Sequence, residues 1–247
     1  MGNRARFGMV CGILVLATFA PPSRAQKAGA AVAGLVLTPS ALPANPAELA
    51  DPAAAGWQAI QPRRVALNRT PRLFETEPPS ELEIPELDVR TARAGGRLLV
   101  RLSWHDLTED AANIASVPGT PAEERFLKES TESTHRFFDA AAIMVPAEGR
   151  PRAAAPSLQM GDANDPVTIY YWNAGRGPML MEARGRETTR RTGQGLPAKA
   201  IYRAGSWSVS FELPDLPKGS PLAFAVWNGS QQDRDGRKYF SVWHVLE

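Results

Sequence analysis

The side chains that most often carry enzyme chemistry are few and widely separated in this sequence. Three histidines, His105, His135 and His244, share no metal-ligand spacing. The serine-hydrolase, P-loop, dinucleotide-binding and zinc-protease motifs are all absent from the sequence. The single cysteine, Cys11, lies in an N-terminal apolar run, so a processed chain would have neither disulfides nor a thiolate site. Catalysis by this chain alone is therefore not indicated.

Composition places the chain among ordinary globular proteins. It has 247 residues, of which 43% are hydrophobic and 22% are charged, and its formal net charge is +2. This balance gives no indication of nucleic-acid binding. Only five of the 28 basic residues are lysines, so each lysine stands out against a strong preference for arginine.

The N-terminus has the pattern of an export signal. Arg4 and Arg6 form a positive region ahead of the apolar run Phe7–Ala20, and small residues follow just before Gln26. The apolar run is short for a membrane span, which takes about 20 helical residues. We therefore predict a signal peptide over residues 1–25 and a periplasmic location.

Residues 26–55 are rich in Ala and Pro and predict an extended or partly disordered arm without a core of its own; we expect this arm, or an exposed strand edge, to become ordered on a partner. From residue 56 to 247 the pattern changes to short apolar segments separated by turn residues, which is typical of strands. The predicted strands are Glu86–Arg93, Arg97–Trp104, Ala140–Val145, Val167–Trp172, Ala198–Arg203, Trp207–Leu213, Leu222–Trp227 and Tyr239–Leu246.

One helix is indicated among these strands. Thr120–Glu123 combines a capping box with proline at the first helical position, and the predicted helix ends near Phe137. The predicted fold is mainly β, an antiparallel β-sandwich with one or two short helical insertions.

The C-terminal two-thirds of the chain resembles a known family, the haem b-binding gamma subunits of periplasmic molybdenum enzymes related to dimethyl sulfoxide reductase. The resemblance runs from about Trp57 to Leu246. It rests on the order and spacing of several segments: Leu102–Asp106, Phe138–Pro146, Leu158–Asp162, Pro166–Val167, Trp172, Ala223–Gly229 and Gly236–Trp243.

The resemblance implies a β-sandwich that holds one non-covalent haem b, with Met160 and Lys238 at the positions of the axial iron ligands. It also implies an electron-transfer role within a complex. The expected partners are a molybdopterin-containing catalytic subunit, an iron–sulfur subunit and a soluble cytochrome c. The chain would have no catalytic residues of its own.

The chemistry of the two residues is compatible with that role. A thioether is a soft neutral donor that raises the reduction potential of haem iron. Lysine binds a metal only as the neutral amine, which requires a lowered pKa, whereas arginine stays protonated. The residues alone leave other interpretations open: Lys238 as a solvated surface lysine, Met160 as a packing residue, and His135 or His244 as iron ligand.

Two other functions fit the same pattern. A secreted carbohydrate-binding module would have the same sandwich and bind sugars on exposed aromatic rings, without haem. An assembly protein that has lost its haem is the third hypothesis. The tryptophans expected in the sandwich core, of which one or two would line a haem face, are Trp104, Trp172, Trp207, Trp227 and Trp243.

Overall fold

A computed structural model describes residues 34–41, 46–71, 82–111, 137–147, 155–193 and 197–247. These residues contain a short α-helix, α1 (Pro46–Leu49), and a 3₁₀-helix at Ala55–Ala59. Their strands are β1 (Val36–Leu37), β2 (Ser40–Ala41), β3 (Arg63–Ala66), β4 (Asn68–Arg69), β5 (Glu86–Ala94), β6 (Arg97–His105), β7 (Ala140–Pro146), β8 (Val167–Asn173), β9 (Gly177–Ala183), β10 (Arg190–Gly193), β11 (Ala198–Tyr202), β12 (Ser206–Pro214), β13 (Pro221–Trp227), β14 (Tyr239–Phe240) and β15 (His244–Leu246).

The strands form two sheets. The nine-stranded sheet has the order β1-β15-β13-β7-β8-β9-β10; off this path, β14 pairs with β13, and β4 pairs with β14. The six-stranded sheet has the order β11-β12-β6-β5-β2, with β3 beside β5. Most pairings are antiparallel, and only the short strands β1 and β2 pair in parallel. The predicted β-sandwich is confirmed.

One hydrophobic core fills the space between the two sheets. Along β13, alternate residues Leu222, Phe224 and Val226 point into this core, as the two-residue period of a strand requires. They meet Trp207, Val209 and other side chains of the six-stranded sheet. We call this surface of the nine-stranded sheet the inner face and the opposite surface the outer face.

The strands predicted from residue 86 onward are present with small changes of boundary. The hairpin of β5 and β6 turns at Gly95 and Gly96, which both have positive φ, as a two-residue type I′ connection needs. The last predicted strand is divided into β14 and β15, because Ser241, Val242 and Trp243 leave the ladder between them. The strands β9 and β10 were not predicted. Glycine residues within them obscure the alternation of apolar and polar side chains that indicates a strand.

The described part of the expected arm, residues 34–41 and 46–55, packs against the rest of the chain. Leu37 reaches the core between the sheets. Leu49 is fully buried beside Trp57, whose indole Nε1 donates to the Leu49 carbonyl at 3.0 Å. The apolar residues of this segment are therefore buried against other parts of the same chain. The predicted signal peptide and the predicted helix up to residue 136 lie outside the described residues.

None of the helices in the described ranges is both long enough and apolar enough to cross a bilayer.

Candidate functional site

The outer face of the nine-stranded sheet is apolar, although no second sheet of the described residues covers it. An outer sandwich face normally alternates to polar residues facing water. Here the outward positions form a second apolar cluster of seven buried residues: Ala140, Ala142, Val167, Ile169, Ala183, Ala225 and Trp227. Half-buried apolar side chains pack against it, namely Met144, Met160, Tyr171, Met181, Phe240 and Trp243.

Alanines form the floor of this surface. Ala142 of β7 pairs with Ala225 of β13, and Ala140 pairs with Trp227. On the other side of β7, Ala142 pairs with Tyr171 of β8. Small side chains therefore lie at the centre of this apolar face, with the large rings of Tyr171 and Trp227 beside them.

Met160 reaches the outer face from the loop between β7 and β8. The loop is fastened to the sheet because Trp243 Nε1 donates to the Pro156 carbonyl at 2.7 Å. Met160 itself has φ of 74°, which is rare for a residue with a long side chain, and Gly161 follows with φ of 68°. A Cβ on Gly161 would lie 2.4 Å from the Asp165 carbonyl oxygen. A strained conformation of this kind is a reason to examine a residue for function.

Lys238 reaches the same surface from the residue just before β14. Tyr239 pairs with Val226 and points to the inner face, so Lys238 points to the outer face beside Trp227. Its Nζ lies 5.3 Å from the centroid of the Trp227 ring. Burial lowers the pKa of Lys238; the carboxylate of Asp235 opposes this shift, and the charge of Arg186 adds to it. The neutral amine is therefore easier to reach here than on an exposed lysine.

The two side chains meet. Lys238 Nζ lies 3.7 Å from Met160 Sδ, although the residues are 78 positions apart. A metal such as zinc bonds nitrogen at roughly 2.0 Å and sulfur at roughly 2.3 Å, so two donors to one metal would lie no more than about 4.3 Å apart. The observed spacing is close to what one shared metal requires. A thioether and an amine are neutral donors suited to a transition metal, and the apolar surroundings would keep water away from it.

Ionic metal sites have less support. In the described ranges, no group of three or more His, Cys, Asp or Glu side chains is placed to hold a metal ion. His244 is buried, and its Nδ1 accepts a hydrogen bond from the Leu35 amide at 2.9 Å. Its ring lies 5.7 Å from that of Phe224, a residue of the inner face, so the structure does not bring His244 to Met160. His135 lies outside the described residues.

The tryptophans divide between the two surfaces. Trp104, Trp172 and Trp207 belong to the core between the sheets, and Trp207 lies within 5.1 Å of the Trp172 ring centroid. Trp227 and Trp243 belong to the outer face. Met144 and Met181 are half-buried on the outer face.

Two parts of this site were missed by reasoning from sequence. The alanines had a visible signal, since Ala140–Val145 is an unbroken apolar run in an antiparallel sheet and therefore has both faces covered. The turn between β9 and β10 had none. Its Gly185 amide donates to the Met160 carbonyl at 2.9 Å, a contact that depends on tertiary structure.

Comparison with known proteins agrees with the resemblance. A respiratory nitrate reductase heme subunit of Haloferax mediterranei is 31% identical over 205 residues, which are 78% of this chain and 66% of the relative. The gamma subunit of chlorate reductase from Ideonella dechloratans is 27% identical over 174 residues, 65% of this chain and 64% of the relative. The gamma subunit of dimethylsulfide dehydrogenase from Rhodovulum sulfidophilum is 30% identical over 181 residues, 65% of this chain and 60% of the relative.

The chain belongs to this gamma-subunit family. The matches span between three-fifths and two-thirds of the length of these relatives. No protein-family model matches the chain.

Proposed function

We propose that this gamma-family chain binds one haem b on the outer face, with Met160 and Lys238 as axial ligands, and transfers electrons within a molybdenum oxidoreductase complex. One observation carries the proposal: a methionine sulfur and a lysine amine face each other at 3.7 Å above an apolar surface. Two of the relatives are named as gamma subunits of redox enzymes, and a third as a heme subunit.

The residues of the chain fit a haem in three ways. The alanine floor offers a flat apolar surface of the kind a porphyrin needs. The Lys238 amine lies over the Trp227 ring of this surface. Burial lowers the pKa of Lys238 and so favours the neutral amine, the form that can bind iron. The fastened loop holds the Met160 sulfur in place. A haem with both axial positions occupied by protein supplies one-electron transfer and no substrate chemistry.

The carbohydrate-binding alternative finds less support in the described residues. A sugar platform needs exposed aromatic rings, yet the exposed large hydrophobics of this part of the chain are Leu35, Val36, Leu107 and Val245. The tryptophans are buried or half-buried.

The direct test is a titration of the haem-free protein with haemin, followed by absorption. Wild type should give a low-spin six-coordinate spectrum, with sharp α and β bands after reduction. Met160→Ala should leave five-coordinate haem or none. Lys238→Arg should lose the low-spin spectrum, since a guanidinium has no lone pair to donate, whereas Lys238→His should retain part of the binding.

Matched controls come from the same chain. Met144→Ala removes another half-buried methionine of the outer face, and Lys199→Arg changes an exposed lysine. Both should keep the wild-type spectrum. An unchanged low-spin spectrum in Lys238→Arg would remove Lys238 as a ligand and favour a histidine. A wild-type chain that takes up no haem would favour the carbohydrate module or an assembly protein without cofactor.

We further propose that the complex is periplasmic. It would contain a molybdopterin subunit and an iron–sulfur subunit and exchange electrons with a soluble cytochrome c. The support is the export-signal pattern of residues 1–25 and the names of the relatives. Native purification should recover the two large partners with this chain, and mass spectrometry should place its first residue at or near Gln26. An intact residue 1–25 segment in the periplasmic protein would contradict the export proposal.

A further inference from the structure

The turn between β9 and β10 lies directly against the Met160 loop. The Gly185 amide donates to the Met160 carbonyl at 2.9 Å, and the Thr188 hydroxyl donates to the Gly185 carbonyl at 2.7 Å. These bonds fix the position of the backbone on both sides of Arg186. Arg186 is exposed and lies three residues after Ala183, a buried residue of the outer face.

Arg186 follows Gly185 directly in the chain, so the hydrogen bond between Gly185 and Met160 places Arg186 next to the Met160 loop. Arg190 of the same hairpin is used differently, because it pairs with Glu182 at 3.3 Å. The two arginines therefore lie in the same hairpin but have different surroundings. Arg190 offers a matched control for Arg186.

A haem b brings a charge requirement that Met160 and Lys238 do not meet. Its ring is apolar and can cover the alanine floor, but its two propionates are carboxylates, which are costly to bury unless they are paired or hydrated. Both proposed axial donors are neutral when they bind iron. The propionates therefore need a cation of the protein at the edge of the apolar surface.

We propose that Arg186 binds a propionate carboxylate of the haem and so fixes the orientation of the ring on the outer face. The inference rests on the proposed haem function. Arginine suits this role because its planar guanidinium can donate two parallel hydrogen bonds to one carboxylate. The anchored backbone of the turn leaves only the side chain to be ordered on binding.

The test is a titration of wild type, Arg186→Gln and Arg190→Gln with haemin and with its dimethyl ester, in which both propionates are neutral. Arg186→Gln should bind haemin about tenfold more weakly than wild type, as expected for the loss of a hydrogen bond to a charged group. Its affinity for the ester should fall much less than its affinity for haemin, because the ester has no carboxylate for Arg186 to bind. Arg190→Gln should bind both ligands like wild type.

The ester distinguishes direct contact from an effect through Lys238. If Arg186 acted only by lowering the pKa of Lys238, its loss would lower the affinities for haemin and for the ester equally. That result would show the inference to be wrong. Equal affinity of Arg186→Gln and wild type for haemin would overturn it as well. Arg186→Lys keeps a cation and should restore part of the haemin affinity. A wild type that binds neither ligand would instead refute the proposed function.

Discussion

The inner and outer faces of the nine-stranded sheet are built from alternate residues of the same strands, yet they differ in size and closure. On β7 and β13 the inner face carries large side chains such as Ile143 and Phe224, sealed against the other sheet. The outer face carries alanines at the corresponding positions, with half-buried rings and thioethers around them. Among the described residues the inner face is therefore closed by the other sheet, whereas the outer face is the surface on which we propose that haem binds.

The largest expected effect separates the faces by stability. Phe224→Ala removes a ring that is 2% exposed in the core and should lower the free energy of unfolding by about 3–5 kcal/mol. Phe240→Ala removes a half-buried ring of the outer face and should cost clearly less. Urea denaturation of the haem-free proteins measures both. Equal losses would mean that the outer face is as much a folding core as the inner one.

The second prediction concerns a buried carboxyl at the end of β7. Asp139 is fully buried and accepts hydrogen bonds from the Asp110 and Gly229 amides and from Trp207 Nε1. Burial raises the pKa of Asp139 to about 7 in spite of these bonds. Because the folded state then holds a proton that the unfolded state has lost, stability should fall as the pH rises from about 4 to 7.

Asp139→Asn removes this titration. Its free energy of unfolding should depend less on pH across that window than the wild-type value, by an amount on the order of a few kcal/mol. Denaturant midpoints at half-unit pH steps give the comparison. Glu109→Gln, which removes an exposed carboxylate nearby, should keep the wild-type slope. Parallel curves for wild type and Asp139→Asn would show that Asp139 is already ionised at low pH.

Two neighbouring alanines allow the sharpest comparison of the faces. Ala141 points to the inner face and Ala142 to the outer face, and both are buried. Ala141→Leu overfills a closed core and should cost about 1–3 kcal/mol of stability, while haemin affinity changes little. Ala142→Leu should cost less stability and weaken haemin binding, because it raises the floor. If Ala141→Leu weakened haemin binding and Ala142→Leu cost more stability, haem would not bind on the outer face.

Sequence patterns predicted the sandwich because the alternation along β6 and the apolar and aromatic composition of β8 and β13 are local information. The unbroken apolar run Ala140–Val145 also indicated that both faces of this strand are buried. It did not indicate what covers the outer face. The pair of Met160 and Lys238 came from family resemblance. Spacing could not supply it, because 78 residues separate them and their contact depends on how β13 and β14 pair.

The smallest expected effect concerns the strained backbone of Met160. Glycine tolerates a φ of 74°, whereas alanine does not, so Met160→Gly should be more stable than Met160→Ala by about 1 kcal/mol. Both variants lose the sulfur and should lose low-spin haem alike. Thermal unfolding of the two haem-free proteins measures the difference. If the alanine variant were equally stable, the backbone at residue 160 would relax without the side chain, and the loop would not hold the sulfur in a fixed position.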